Sequence, residues 1–266
     1  MSMRFMSLGS GSSGNCYYLA TGTTAVLIDA GIGIRKMKKM LKDCSIDVMS
    51  VNAVLVTHDH LDHVRSATYL GEKLGIPVYA TAEVIDGVNR IYCIRQKFRG
   101  SARRIVKRQR LDIGDMAVTP FDVPHDATDN VGYRIEADGK VFVLVTDCGY
   151  VTDEVRGNVA DADYVVIEAN YDFNMLETGS YPRELKERVK SRTGHLCNTD
   201  AAALIADTYH DGLRHVWLCH ISQDNNRPEI ARQTVALALE ARGVMPGRDI
   251  DVTPLARYTP SDIYDL

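Results

Sequence analysis

Short apolar runs bounded by glycine, proline or acidic turns recur along the chain, and amphipathic stretches alternate with them from residue 33 onward. Residues 4–8, 16–20 and 24–29 read as three strands, because aromatic and β-branched residues fill them and glycines bound them. Met37, Met40 and Leu41, set among lysines, predict a helix over 33–42. The run from Val51 to Thr57 is apolar throughout, as a strand buried on both faces is, and it ends at a cluster of histidines. A helix over 63–74 and a strand over 77–80 are expected next. Further strands are expected over 116–123, 130–136, 141–146, 164–167 and 215–218, and helices over 182–193, 199–209 and 228–242. No repeat, linker or low-complexity tract interrupts this order. The expectation is one α/β domain over residues 1–266, with polar residues gathered at the C-terminal ends of its strands.

Composition narrows the class. The chain has 266 residues, 45% hydrophobic and 25% charged, which is the balance of a globular domain. No apolar run approaches the roughly 20 residues of a membrane span, and no signal peptide is visible, so a membrane partner is not expected. Cys16, Cys44, Cys93, Cys148, Cys197 and Cys219 are scattered without a CxxC pair. That pattern argues for reduced thiols and a cytoplasmic location. The net charge of −4 conceals an asymmetry. Arg95, Lys97, Arg99, Arg103, Arg104, Lys107, Arg108 and Arg110 lie in one stretch with no acid among them, which leaves −12 for the rest of the chain. Such a block is either a polyanion site or a solvated face.

Gly9-Ser10-Gly11-Ser12-Ser13-Gly14 matches the dinucleotide pattern G-x-G-x-x-G. That chemistry needs a helix directly after the glycines, whereas Asn15-Cys16-Tyr17-Tyr18-Leu19 favours strand. The segment reads instead as a turn whose polar residues Ser10, Ser12 and Asn15 line a substrate groove.

The chemistry is concentrated in His58-Asp59-His60-Leu61-Asp62-His63. Imidazole and carboxylate suit zinc, iron or manganese. In an extended stretch His58 and His60 project to one side and reach one ion. A helix starting near Leu61 turns Asp62 and His63 toward a second. His125, Asp147 and His220 each follow an apolar strand and complete the candidate ligands, and a carboxylate at Asp147 could bridge two ions. Asp29 closes the third strand and is placed to orient a ligand histidine. Asp59, between two ligands, is expected beside the site or in its pocket. Tyr171 and Tyr181 read either as base-stacking or as core residues. Cys148, Cys197 and Cys219 read as small buried residues and His210 and His215 as ordinary ones.

Val56-Thr57-His58-Asp59-His60-Leu61-Asp62-His63 resembles the signature of the metallo-β-lactamase superfamily, and Asp29, His58–His63, His125, Asp147 and His220 follow the order of its five motifs. The resemblance implies a four-layer αβ/βα sandwich of the metallo-β-lactamase fold with two divalent metal ions at the sheet edges, zinc foremost and manganese or iron as alternatives. It implies that His58, His60 and His125 hold one ion, that Asp62, His63 and His220 hold the other, and that Asp147 bridges them. Leu8–Asn15, Glu168-Ala169-Asn170-Tyr171-Asp172, Ser180-Tyr181-Pro182, Gly194-His195-Leu196-Cys197-Asn198 and Cys219–Asn226 are similar to the bacterial YycJ/WalJ (VicX) group. That group is regarded as DNA exonucleases working 5′ to 3′, with a place in mismatch repair. Its last motif more often has serine where this chain has Cys219. The inserted domain of ribonuclease J has no room here, because only 20 residues separate Asp147 from Glu168. Similarity to ribonuclease Z implies that His195 donates the leaving-group proton and Glu168 orients it, with Asp62 also counted as catalytic.

Three functions are to be weighed. Hydrolysis of nucleic-acid phosphodiesters, DNA foremost, has a metal-bound hydroxide attacking phosphorus while two ions neutralise the developing charge. It uses the basic block, with Arg103, Arg104, Lys107 and Arg108 as expected backbone contacts. Hydrolysis of a small ester, thioester or lactone would use the same centre but leave eight clustered cations without a role. A redox diiron protein usually carries a flavin domain and a carboxylate in place of one ligand histidine, and neither is found. Fold alone does not decide among these.

Overall fold

The computed structural model describes residues 3–266. Its layering follows from strands that are apolar on both faces. In β10 (Lys140–Val145), Phe142 and Leu144 point into one core while Val143 and Val145 point into another. The same alternation holds in β11 (Tyr164–Glu168) and β12 (His215–Cys219), where Val166 and Trp217 face inward and Ile167 and Leu218 outward. Such strands need cover on both sides.

Two seven-stranded mixed sheets supply the middle layers. The first contains β1 (Arg4–Gly9), β2 (Cys16–Ala20), β3 (Ala25–Ile28), β4 (Ala53–Leu55), β5 (Val78–Ala80), β6 (Ala102–Arg104) and β14 (Tyr264–Asp265), in the order β14-β1-β2-β3-β4-β5-β6. The second contains β7 (Leu111–Ile113), β8 (Met116–Asp122), β9 (Val131–Ala137), β10, β11, β12 and β13 (Asp251–Pro254), in the order β13-β12-β11-β10-β9-β8-β7. Phe5, Tyr17 and Ile28 of the first sheet pack on Tyr133, Phe142 and Trp217 of the second. Outside the first sheet lie α1 (Ile34–Asp43), α2 (Leu61–Val64), α3 (Ala67–Leu74) and α4 (Ala82–Arg90). Outside the second lie α5 (Asp153–Ala160), α8 (Asn198–Thr208) and α9 (Pro228–Glu240), with α6 (Phe173–Thr178) and α7 (Arg183–Lys190) around a smaller cluster of Tyr171, Leu176 and Val189. The architecture is a four-layer αβ/βα sandwich. Among the described residues, no helix is long and apolar enough to cross a membrane.

Each sheet combines an antiparallel half with a parallel one. β3 to β6 run parallel, as do β10 to β13. Parallel strands end together, and the polar residues just beyond them converge on one edge. Asp29, Asp147 and His220, each one or two residues past such a strand, have φ of 61°, 50° and 51°. Non-glycine residues at positive φ are held there by their surroundings, and such strain gathers at functional sites.

Several elements differ from the sequence expectation. The helix expected over 63–74 is two helices, because Ser66 breaks it by bonding through its amide to the Ala30 carbonyl and through its hydroxyl to the Ile32 carbonyl. The sequence expectation omits α4, α5, α6, β6, β7, β13 and β14. Of these, α5, α6, β6, β7 and β13 are short or weakly patterned; α4 buries Val84, Gly87 and Val88 on one face at a helical spacing present in the sequence, and the two-residue β14 gains its order by pairing with β1.

Candidate metal centre

Loops at the C-terminal edge of both sheets carry the site. His58 leaves β4 and makes a single antiparallel bridge with Asn130, tying the two sheets together. α2 begins at Leu61, so Asp62 and His63 turn away from the His58-to-His60 stretch. Their close approach to the first turn depends on Gly31. A Cβ there would lie 1.6 Å from the Asp62 carbonyl oxygen, which accepts a 2.7 Å bond from the Asn15 amide.

Donor atoms gather in overlapping groups within 4.8 Å: His58, His60 and His125; Asp62, His63 and His220; and His58, His63 and Asp147. Asp147 sits between. Its Oδ2 is 3.2 Å from His63 Nε2, and its Oδ1 is 3.7 Å from His125 Nε2 and 3.6 Å from His220 Nε2. His58 Nε2 and His220 Nε2 are buried without any hydrogen-bond partner among the described residues. The opposite nitrogen of each ring is anchored. His63 Nδ1 donates to Asp29 at 2.7 Å, His125 Nδ1 to the Gly194 carbonyl at 2.9 Å, and His58 Nδ1 to Thr57 Oγ1 at 3.0 Å. His220 Nδ1 lies 3.1 Å from Glu168. Imidazoles fixed through one nitrogen, with the other aimed at a shared point, are what a metal centre requires. Buried polar atoms left unpartnered at that point fit two divalent cations.

The electrostatics agree. Burial disfavours charge on His220, but Asp147, Asp62 and Glu168 outweigh it and push its pKa up to about 10. In His63 burial is likewise outweighed, by Asp29 and Asp147, and its pKa is raised. His58 is held well below the usual range by burial and then by the His63 ring, so it presents a neutral lone pair. Asp147 stays ionised despite full burial because His220 and His63 surround it.

Glu168 and His195 form a couple beside this cluster. Burial opposes charge on Glu168, yet His195 holds it down to about 2. Its Oε1 accepts from His195 Nδ1 at 2.8 Å, and its Oε2 from the amides of Cys148 and Leu196. The same carboxylate faces His220, so Glu168 orients two rings where sequence reasoning assigned it one. The pKa of His195 is raised, burial being outweighed by Glu168. Its ring lines a cavity of about 190 Å³ together with Ser12, Tyr181, Arg188, Ser222 and Arg257.

The expected substrate contacts divide. Ser10 is buried and accepts from the His220 amide at 2.9 Å, and its hydroxyl pairs with that of Tyr17, so it supports the centre rather than facing a groove. Asn15 is also buried, bonded to the Gly11 amide and to His63 Nε2. Ser12 is exposed and accepts from Arg257 at 2.9 Å. Lys107 is neutralised by Asp122 and Asp129, and Arg108 is bidentate to Glu154. Arg103 and Arg104 are exposed on the edge strand β6 and have no ion-pair partner among the described residues. Among the described residues Asp59 makes no hydrogen bond or ion pair with a candidate ligand ring; its carboxylate accepts from the amide and hydroxyl of Thr128, pinning the loop after His125. Tyr171 is core, whereas Tyr181 reaches the cavity with its hydroxyl 3.1 Å from Asp224. Arg188, Arg257 and Asp126 carry no mark in the sequence pattern. Asp126 directly follows a ligand candidate, and that position is the one signal that points to it.

Residues 24–221 match the Beta-lactamase superfamily domain. The chain is 34% identical over 266 residues to the exodeoxyribonuclease YycJ of Bacillus anthracis, covering 99% of both proteins. It is also 34% identical to the exodeoxyribonuclease WalJ of Streptococcus pneumoniae D39, covering 99% of this chain and 98% of that one. The chain belongs to the metallo-β-lactamase superfamily. The metallo-β-lactamase fold protein YhfI from Bacillus subtilis superposes over 100% of both chains with a TM-score of 0.75 and 16% identity, a likeness of fold alone. Like its superfamily, the chain is a metal-dependent hydrolase, and its His/Asp cluster fits a dinuclear centre.

Proposed function

We propose that this hydrolase cleaves phosphodiesters of DNA, removing nucleotides from strand ends in the 5′ to 3′ direction. His58, His60 and His125 would hold one divalent ion and Asp62, His63 and His220 the other, with Asp147 between them. When bound, such a pair activates water and neutralises charge on the phosphoryl oxygens. The observation that carries the reading is His195. It is held by Glu168 through Nδ1 and stands over the cavity, with no partner for its Nε2 among the described residues. A histidine whose pKa is raised by a neighbouring carboxylate and whose other nitrogen is free can give its proton to a departing 3′-oxygen. Arg188 and Arg257 both line that cavity and suit a backbone phosphate beside the scissile one. The 34% identity to two exodeoxyribonucleases over nearly the whole chain supports the same substrate.

Incubation of end-labelled duplex DNA with manganese or zinc tests this. The reading expects mononucleotides released progressively from 5′ ends, faster than any small ester or lactone is turned over. Turnover of esters or lactones with intact DNA would contradict it.

A further inference from the structure

Asp126 follows His125 beyond the end of β8, and its two carboxylate oxygens have opposite surroundings. Oδ2 accepts a 2.6 Å hydrogen bond from Nε of Arg188 on α7. Oδ1 is buried and has no hydrogen-bond partner among the described residues. It lies 3.4 Å from His125 Nε2 and 4.0 Å from His60 Nε2. The tautomer of His125 decides what that approach means. Its Nδ1 faces the Gly194 carbonyl, which can only accept, so Nδ1 carries the proton and Nε2 a lone pair. Two lone pairs then face each other across 3.4 Å in a buried place, an arrangement that repels unless positive charge lies between them. His125 Nε2 is also 3.3 Å from His60 Nδ1. Nitrogen and oxygen atoms at these separations are close enough to share one ion.

We propose that Asp126 Oδ1 is a further oxygen donor to the ion held by His58, His60 and His125, with Arg188 the positioning residue that fixes the other oxygen. The inference rests on the two-ion reading above. Three imidazoles and a bridging carboxylate already make four donors, the number zinc prefers. A fifth, from a carboxylate, biases this position toward a harder cation of higher coordination such as manganese.

The test is a manganese titration of the full chain, with bound ions counted by electron paramagnetic resonance and zinc followed by chelator competition. The wild type is expected to bind two ions. In Asp126→Asn one manganese should bind on the order of 10–100-fold more weakly, zinc at that position should lose less, and the second ion should be unchanged, which also shows the variant folded. Asp126→Glu should recover part of the loss, because it keeps the carboxylate. Wild-type manganese binding at both positions in Asp126→Asn would overturn the donor role while leaving the dinuclear centre standing. Equal weakening at both positions by Asn and Glu alike would assign Asp126 to packing and overturn it too. Fewer than two ions in the wild type would remove the two-ion reading itself.

Discussion

At the scale of single residues, the centre sets protons against cations. The His63 and His220 pKa values are raised by the carboxylates around them, so in metal-free protein near neutral pH both rings hold protons that a cation must displace. His58, held low, releases none. Metal loading at pH 7 should therefore release about two protons, and affinity should rise with pH toward the His220 value. Calorimetric titration in buffers of different ionisation enthalpy measures this, and binding without proton release would contradict the assignment. His195 offers a second test. His195→Ala should keep both ions yet lose on the order of 10²–10⁴-fold in DNA hydrolysis, the usual range for a general acid. Loss of an ion in that variant would make His195 a ligand instead.

The residues that bear lone pairs are legible in the sequence because they follow apolar strands at predictable ends: His58, His125, Asp147 and His220. Spacing also separates His58 and His60 from Asp62 and His63, since α2 starts where Leu61 suggests. Ser10, Asn15 and Glu168 have more or different partners than their local sequence implies. Those partners lie 210, 48 and 52 positions away, and no local pattern reports such pairings.

At the scale of elements, the basic block shows the same limit. Eight cations in one stretch read as one surface, but tertiary acids divide it. Lys107 and Arg108 are paired with Asp122, Asp129 and Glu154, whereas Arg103 and Arg104 lie exposed on an edge strand with no acidic partner among the described residues. Glu72 of α3 holds the approach to that strand, accepting from the amides of Arg99, Gly100 and Ser101, and these bonds keep its carboxyl down at about 2. Arg103→Ala with Arg104→Ala should weaken DNA binding similarly for unrelated sequences. It should also flatten the salt dependence by nearly one counterion for each phosphate no longer neutralised. Lys107→Met should leave that slope unchanged and lower Tm by about 2–4 °C, as loss of roughly 1 kcal/mol does in a chain of this size. Identical salt slopes in the double variant and the wild type would show that the edge strand does not touch DNA. The long strands and helices, such as β8, β9 and α9, are readable from periodicity. The three-residue strands β6 and β7 are not, because their order comes from pairing with β5 and β8.

At the scale of the whole molecule, the two sheets contribute different halves of the centre. The first supplies Asp29 and the His58–His63 run, and the second supplies His125, Asp147, Glu168 and His220. The packing of Phe5, Tyr17 and Ile28 on Tyr133, Phe142 and Trp217 therefore sets the distance between donors, and the layered order explains why residues far apart in the chain meet at one edge. Anomalous scattering from crystals soaked in manganese tests the resulting claim most directly. Two peaks about 3.5–4 Å apart are expected, one among His58, His60 and His125, the other among Asp62, His63 and His220, with Asp147 reaching both. A single peak, or two that leave either group of side chains without an ion, would contradict the dinuclear centre.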